Sequence, residues 1–508
     1  MRKVLLFGAG KSATILIDYL LRNAERERWE LTVVDANPEP ARQKIGSSPF
    51  GKAIAFDINN ATERNRLISN ADIVISLLPP SLHSLVAKSC IANSKNLLTA
   101  SYVDDDMRNM KKDIEEKGLL FLCEMGLDPG IDHMSAKKII DKIHEENGRV
   151  VSFRSHCGGL VAPESDNNPW HYKISWNPRN ILMAGKDGAR YKENGKVIKI
   201  AYEDLFHPDR LVGIPDPDIG FLSWYPNRDS LGYIDTYSLH EAETFIRTTL
   251  RHPDFMIGWK NIVDLKLTDE KPLYQTDGKS LMHFFKEHME KNGFSEWLQQ
   301  KLTRRLGQAK DMIENLMKII KAENEAKQMG EEIPESFMAA NKKGDIETIH
   351  LDDIKSRAAE HLAYKMHEAN LILKQLLFLG MDDETTLINK GLCSAADVMQ
   401  LVLEKKLALQ PQDKDMIIML HEIEYETQRE KSKIKSSLIV KGDDAIHTAM
   451  AKTVGLPLGI AARLVLNGKI GLKGLHIPVQ KEIYNPVLEE LEDFEIKFLE
   501  KTELINDL

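Results

Sequence analysis

The stretch Val4-Leu5-Leu6-Phe7-Gly8-Ala9-Gly10-Lys11-Ser12-Ala13 decides how this chain begins to fold. Four apolar residues predict a buried strand, and the Gly-x-Gly-x-x-Ala run predicts a tight turn into a helix. Gly8 permits the turn, Gly10 lets the backbone approach a pyrophosphate, and Ala13 lets helix and strand pack closely. Lys11 and Ser12 open that helix, whose first N–H groups face the phosphate charge. Gly10-Lys11-Ser12 also imitates an ATP-binding phosphate loop, but that pattern needs glycine where this chain has Leu5.

Working outward, a second strand ends at Asp35, about twenty residues beyond the glycines as a dinucleotide site requires. Its carboxylate suits the ribose hydroxyls and repels a 2′-phosphate, which points to NAD. Arg42 lies near enough in sequence to hold a 2′-phosphate, so NADP stays open. Asp57 and Ser76-Leu77 end the third and fourth strands and join Asp35, Ala36 and Leu127 as candidate cofactor contacts. The plain alternative for each is a strand-end turn.

Strands are predicted at Lys3–Phe7, Glu30–Asp35, Ala53–Asp57, Ile73–Leu77, Asn96–Thr99 and Leu119–Leu122, with helices at Ser12–Asn23, Ala61–Ile68 and Leu82–Ala92. This alternation predicts an α/β fold beginning with a Rossmann-like, doubly wound parallel sheet over residues 1–125. From 126 to 277 the texture is richer in Pro, Trp, Tyr and Asn. A second α/β domain is expected there, with strands at Val150–His156 and Gly232–Ser238 and a hairpin added from Ile417–Glu426 and Ser432–Lys441 within residues 410–442. Residues 278–409 read as a helical domain with a charged insertion, its helices bearing packing stripes and Gln328–Ile346 a loop. In 443–508, Asp444–Gly468 reads as two helices broken at Gly-Leu-Pro, packing back on the first domain through Ala-rich faces.

Composition narrows the function. The 508 residues are 42% hydrophobic and 29% charged with a net charge of −9, enough apolar content for real cores. With no basic stripe interleaved with aromatics, a dedicated nucleic-acid binder is excluded. Four scattered cysteines form no CxxC pair, so no zinc site or disulfide framework is expected and a reducing compartment fits. No signal peptide and no membrane span are read from the sequence, and a soluble cytoplasmic protein is the expectation.

The segment Glu124-Met-Gly-Leu-Asp-Pro-Gly-Ile-Asp-His133 then supplies chemistry. Asp128, Asp132 and His133 crowd proton-handling groups around the Pro129-Gly130 turn, as general acid–base work needs. An acidic turn capping the helix near Met134 is the plain alternative.

Five stretches, EMGLDPGIDHM (124–134), SFRSHCGGLVAPESDNNP (152–169), ISWNPRNILMAGK (174–186), YPNRDSLGY (225–233) and MAKTVGLPLGIAARLVLNGKI (450–470), resemble the glutamate-forming saccharopine dehydrogenases, or saccharopine reductases. The resemblance covers both ends and the middle of the chain, leaving out chiefly residues 300–370. It implies a variant Rossmann domain, an α/β substrate and dimer domain and a helical domain, in a homodimer. It implies interconversion of saccharopine, NAD(P)⁺ and water with L-glutamate, 2-aminoadipate 6-semialdehyde and NAD(P)H. It places Ser101-Tyr102 and Asp128 beside the nicotinamide and Cys157 on the substrate side. Asp128 is the expected acid–base group, with Tyr102 and Cys157 positioning substrate or relaying protons.

Three carboxylates need arginines and neutral donors, a demand that Arg228, Arg247, Thr248, Thr249 and Asn177 fit, with Ser101 also on the substrate side. The family pattern near Arg247 reads Arg-Gly-Thr-Leu-Arg, whereas this chain has Arg-Thr-Thr-Leu-Arg. Two rival readings remain. A carboxynorspermidine dehydrogenase-like enzyme needs acidic groups for a second ammonium. A non-catalytic NAD-binding regulator needs none of Asp128, Tyr102 and Arg228.

Overall fold

The computed structural model describes residues 1–329, 336–340 and 346–505, which divide into two compact units: 1–253 with 407–508, and 254–406. The first unit holds two sheets. One is parallel throughout, its strands in the order Gly474–His476, Leu120–Leu122, Asn96–Thr99, Ile73–Ser76, Arg2–Phe7, Trp29–Asp35, Gly51–Ala55. Six of these are the strands predicted above, and the order reverses at Arg2–Phe7. In such a sheet that reversal leaves a crevice at the carboxyl ends of the strands, where ligands bind. The seventh strand comes from near the C-terminus and seals the edge beside Leu120–Leu122.

The second sheet is built around Arg149–Val161, parallel to Thr244–Arg251 on one side and antiparallel to Asp415–Glu426 on the other. Asp415–Glu426 forms the predicted hairpin with Lys431–Lys441, and Leu499–Leu504 adds an edge strand. Gly232–Ser238 is not a strand. Asp229 Oδ1 accepts the Leu231 N–H at 3.0 Å, and the chain turns through Leu231–Tyr233 into a short helix, Ile234–Tyr237. A local side-chain turn has overridden the alternating pattern.

The two helices expected over Asp444–Gly468 are one, Ala449–Leu466, which runs through Pro457. Thr448 caps it, and the buried Asp415 carboxylate accepts the Ala449 and Met450 N–H groups. Gly455 and Gly459 let it lie against the Thr14–Glu27 helix so closely that a Cβ at Gly459 would stand 2.5 Å from the Tyr19 ring. Packing this tight offsets the roughly 3 kcal/mol that an interior proline costs a helix. By length and composition the helix is apolar enough to cross a membrane, yet 72% of it is buried in this unit as a core helix.

The second unit is mainly helical, with Pro253–Asp264, Leu281–Lys291, Trp297–Met329, Leu351–Phe378 and Ala395–Lys406. Residues 254–277, read from sequence with the substrate domain, fall here because Pro272–Gln275 pairs with Leu392–Ser394. The loop expected at Gln328–Ile346 contains a strand, Ser336–Ala340, paired antiparallel with Ile346–His350. The rest of that loop, apart from its two ends, lies outside the described residues.

Candidate active site

The glycine-rich turn sits at the crevice. Gly8 has φ +100°, and a Cβ there would stand 2.8 Å from the Leu77 carbonyl oxygen, so only glycine fits between the first and fourth strand ends. Gly10 faces open space, Lys11–Ala13 form a single 3₁₀ turn, and the α-helix starts at Thr14. Ala13 is buried against the core as the motif requires. An open approach beside Gly10 and a helical N-terminus fit a bound pyrophosphate. Asp35 closes the second strand and reaches back: its Oδ2 accepts the Ala9 N–H at 2.8 Å and its Oδ1 the Asn37 N–H at 3.1 Å. Arg42 points elsewhere, 3.7 Å from Glu39. Ala36 is exposed and Leu127 buried. Asp57 lies just past its strand in an exposed turn, accepting from the Asn59 N–H.

Asp128 is the meeting point of both sheets. The Tyr102 hydroxyl donates to Asp128 Oδ1 at 2.9 Å, and Arg247 Nη2 donates to the same oxygen at 2.7 Å. That same Nη2 stands 2.7 Å from Asp132 Oδ2. Asn227 Nδ2 reaches Asp128 Oδ2 at 3.5 Å. The loop carrying Asp128 is held by a cis Asp128–Pro129 bond and by Gly130, whose φ of +148° and tight fit on the Gly126 backbone exclude any side chain. The Ile131–Glu145 helix starts immediately after, its Asp132 side chain accepting the Gly130 N–H.

The two carboxyls titrate in opposite directions. Burial pushes Asp128 above the ordinary carboxylate range despite Arg247. Burial also acts on Asp132, but His133, Arg247 and the Gly130 N–H outweigh it and hold Asp132 below that range. Paired groups driven apart in this way divide acid–base roles between them. Burial raises the Tyr102 hydroxyl and the Cys157 thiol well above their usual values, so neither ionises near neutrality. Cys157 is a protonated, buried strand residue beside Thr249 and Met419 in register, without the thiolate that nucleophilic catalysis needs.

The remaining predicted residues separate. Arg228 is exposed, has φ +52° and holds its guanidinium 5.2 Å from the Tyr102 ring centre, with no carboxylate partner among the described residues. Arg247, by contrast, is 3% exposed and engaged by two aspartates, and it stacks 4.5 Å over the Tyr233 ring. Thr249 shares its face, since side chains alternate along a strand. Thr248 points to the other face, where its hydroxyl meets His156 Nδ1 at 2.7 Å. Asn177 is exposed and spends its side-chain oxygen on the Arg179 N–H, capping the Pro178–Met183 helix.

Sequence reasoning left several members out. Asp132 and His133 stood in the segment singled out above, yet the Arg247 link that makes Asp132 part of the site joins residues 115 apart. His133 Nε2 meets Glu124 Oε2 at 2.8 Å and its Nδ1 meets the Tyr237 hydroxyl at 2.5 Å. Tyr233 also reaches Glu124, at 3.2 Å. His83 bridges Ser76 and Ser101, which the sequence assigned to different ligands. Its one signal was position, a histidine opening a helix just after a strand end.

A parallel sheet with a glycine-rich turn at its switch point, and buried carboxyls after its sixth strand held by an arginine of the second sheet, define a nicotinamide-dependent oxidoreductase scaffold. Residues 4–122 match the saccharopine dehydrogenase NADP binding domain and residues 126–496 the saccharopine dehydrogenase C-terminal domain. The chain belongs to the saccharopine dehydrogenase family. It is 31% identical to the Schizosaccharomyces pombe saccharopine dehydrogenase [NADP(+), L-glutamate-forming], covering 97% of each chain. It is 32% identical to the Arabidopsis thaliana alpha-aminoadipic semialdehyde synthase, of which it spans 45%. The apo structure of saccharopine dehydrogenase (L-Glu forming) from Saccharomyces cerevisiae superposes with a TM-score of 0.75 at 27% identity, covering 99% of this chain and all of that one.

Proposed function

We propose that this protein is an NAD(P)-dependent saccharopine dehydrogenase of the L-glutamate-forming type, acting in lysine metabolism. The observation that carries this reading is Asp128, a carboxyl raised in pKa and held by Tyr102 and Arg247. The family and the relatives' printed names supply the substrate. The glycine-rich turn Gly8–Ala13 and Asp35 would hold a nicotinamide cofactor, which would supply the hydride acceptor for the lysine-side carbon of saccharopine. The chain's own residues manage protons and charge. Ionised Asp128 accepts the proton of the secondary amine as the C=N bond forms, and Tyr102 and Arg247 hold the carboxylate in place. Asp128 returns that proton to the imine nitrogen, draws one off the water that adds to the imine carbon and passes it to the same nitrogen, and the C–N bond breaks as Asp128 takes up the proton of the new hydroxyl. Glutamate leaves with the bonding electron pair and a proton on its nitrogen, and the carbon becomes the semialdehyde.

Arg228, exposed beside Tyr102 and unpaired among the described residues, is the carboxylate clamp of this reading, with Asn177 and Thr249 as further donors. Arg247 serves the chemistry from behind by keeping Asp132 ionised and Asp128 oriented. Asp35 supports NAD as the better cofactor, whereas the names of the relatives carry NADP(+). A cytoplasmic homodimer belongs to the same reading, in keeping with four cysteines that are all free and buried. The test is the appearance of reduced nicotinamide when purified protein meets saccharopine with NAD or NADP. A protein that binds cofactor but forms none with either would overturn the assignment and favour a regulator.

A further inference from the structure

His83 lies beneath the carboxyl ends of the fourth and fifth strands, 3% exposed, at the start of the His83–Ala92 helix. Its Nδ1 stands 2.9 Å from the Ser76 hydroxyl and its Nε2 2.7 Å from the Ser101 hydroxyl. Burial pushes its pKa down to about 4, with Asp104 opposing, so the ring is neutral under working conditions. A helix N-terminus also disfavours a cation. Neutral imidazole donates through one nitrogen and accepts through the other, so the three groups form a chain with a direction.

The direction follows from Ser76. That residue is fully buried, and His83 Nδ1 is the only hydrogen-bond partner of its hydroxyl among the described residues. If Nδ1 carried the proton, the Ser76 O–H would be buried without an acceptor, which is unfavourable. Ser76 therefore donates to Nδ1, and Nε2–H donates to Ser101. Ser101 is only half-buried, and one lone pair of its oxygen is now taken. Its own proton is free for another acceptor, one residue before Tyr102, whose hydroxyl meets Asp128.

We infer that His83 is a positioning residue that turns the Ser101 hydroxyl into a fixed hydrogen-bond donor for a carboxylate of the substrate. The inference rests on the functional reading above and goes beyond it by naming the tautomer and the group it orients. Ser76, assigned from sequence to the cofactor, is in this arrangement the anchor of a substrate contact. One residue thus links the strand under the cofactor to the strand beside the substrate.

The test is a double-mutant cycle on the full-length protein with saccharopine. His83→Leu fills the space without donating and should raise the KM for saccharopine about tenfold, with kcat and the cofactor KM within about threefold. Ser101→Ala should act alike, and the double variant should be no worse than Ser101→Ala alone, because the two residues work as a unit. His83→Gln, whose amide can donate toward Ser101, should bring the KM most of the way back and checks that His83→Leu has not simply misfolded. Additive losses in the cycle, or equal losses in His83→Gln and His83→Leu, would overturn the relay while leaving the dehydrogenase assignment intact. Failure of the unaltered protein to turn over saccharopine would overturn both.

Discussion

Asp128 and Asp132 share a single guanidinium nitrogen, Arg247 Nη2, which stands 2.7 Å from a carboxylate oxygen of each. One cation cannot neutralise two buried carboxylates, so the proton affinity of the pair concentrates on Asp128, the member without a backbone N–H donor. Asp128→Asn keeps size and hydrogen bonding but cannot exchange a proton. Its kcat should fall by about 10²–10⁴ with little change in cofactor affinity. In the unaltered enzyme the oxidation rate should rise with pH through the raised Asp128 pKa, because the ionised form is the base. A variant with near-normal kcat and an unshifted pH profile would remove Asp128 from this role.

Arg228→Ala separates recognition from chemistry on the same assay. The side chain stands over the Tyr102 ring and makes no hydrogen bond or ion pair among the described residues, so its loss should leave the aspartates undisturbed. The expected outcome is a raised saccharopine KM with kcat largely retained, the signature of lost uniform binding. A fall in kcat with KM unchanged would assign Arg228 to the transition state instead.

In the proposed reading Asp35 sets cofactor choice, and it also ties down Ala9 in the glycine-rich turn. Asp35→Ser should improve the NADP to NAD ratio of kcat/KM by about tenfold or more, since a charge beside the 2′-phosphate is removed. The lost bond to the Ala9 N–H should at the same time weaken binding of both cofactors. If the unaltered protein already favours NADP tenfold, Asp35 is not the determinant.

The ion pairs at Asp132 give stability a signed pH dependence. Its folded pKa lies below its unfolded one, so its contribution is present above the unfolded value and lost as pH falls through the folded one. Asp132→Asn should therefore flatten the acid limb, losing less Tm than the unaltered protein between about pH 5 and pH 3, where an ordinary aspartate titrates. Asp128 has the opposite sign, because its raised pKa favours the fold at low pH and the benefit is lost as pH rises through that value. Parallel Tm curves for Asp132→Asn and the parent would refute the assignment.

Helix packing on the parallel sheet is tested by Gly459→Ala. The new Cβ would meet the Tyr19 ring at 2.5 Å, and Tyr19 cannot simply withdraw, since Glu490 and Arg463 both hydrogen-bond its hydroxyl. Overpacking of this kind costs about 1–3 kcal/mol. Thermal unfolding should show a lowered Tm with the cofactor preference unchanged.

What the sequence revealed follows the range of the forces involved. The glycine turn, the six parallel strands and the hairpin of Asp415–Glu426 with Lys431–Lys441 are written in local patterns, and each was legible. The Gly232–Ser238 turn escapes the pattern because one Asx contact at Asp229 outweighs alternation, and the Pro457 helix because its compensation lies in a distant helix. Within the site, Asp128, Tyr102 and Arg228 came from motifs. The structure then paired Arg247 with two aspartates, turned Thr248 to the other face of its strand and bound His83 to two serines. These relations depend on register and topology, which single-chain periodicity does not encode.

The strand Gly474–His476 carries a consequence for how the molecule is made. Leu120–Leu122, a buried sheet strand, is synthesised long before Gly474–His476, the partner for one of its edges. Until then the nascent cofactor domain exposes an apolar, hydrogen-bond-hungry border, the kind of edge through which chains aggregate. Completion of the parallel sheet thus waits on residues 474–476.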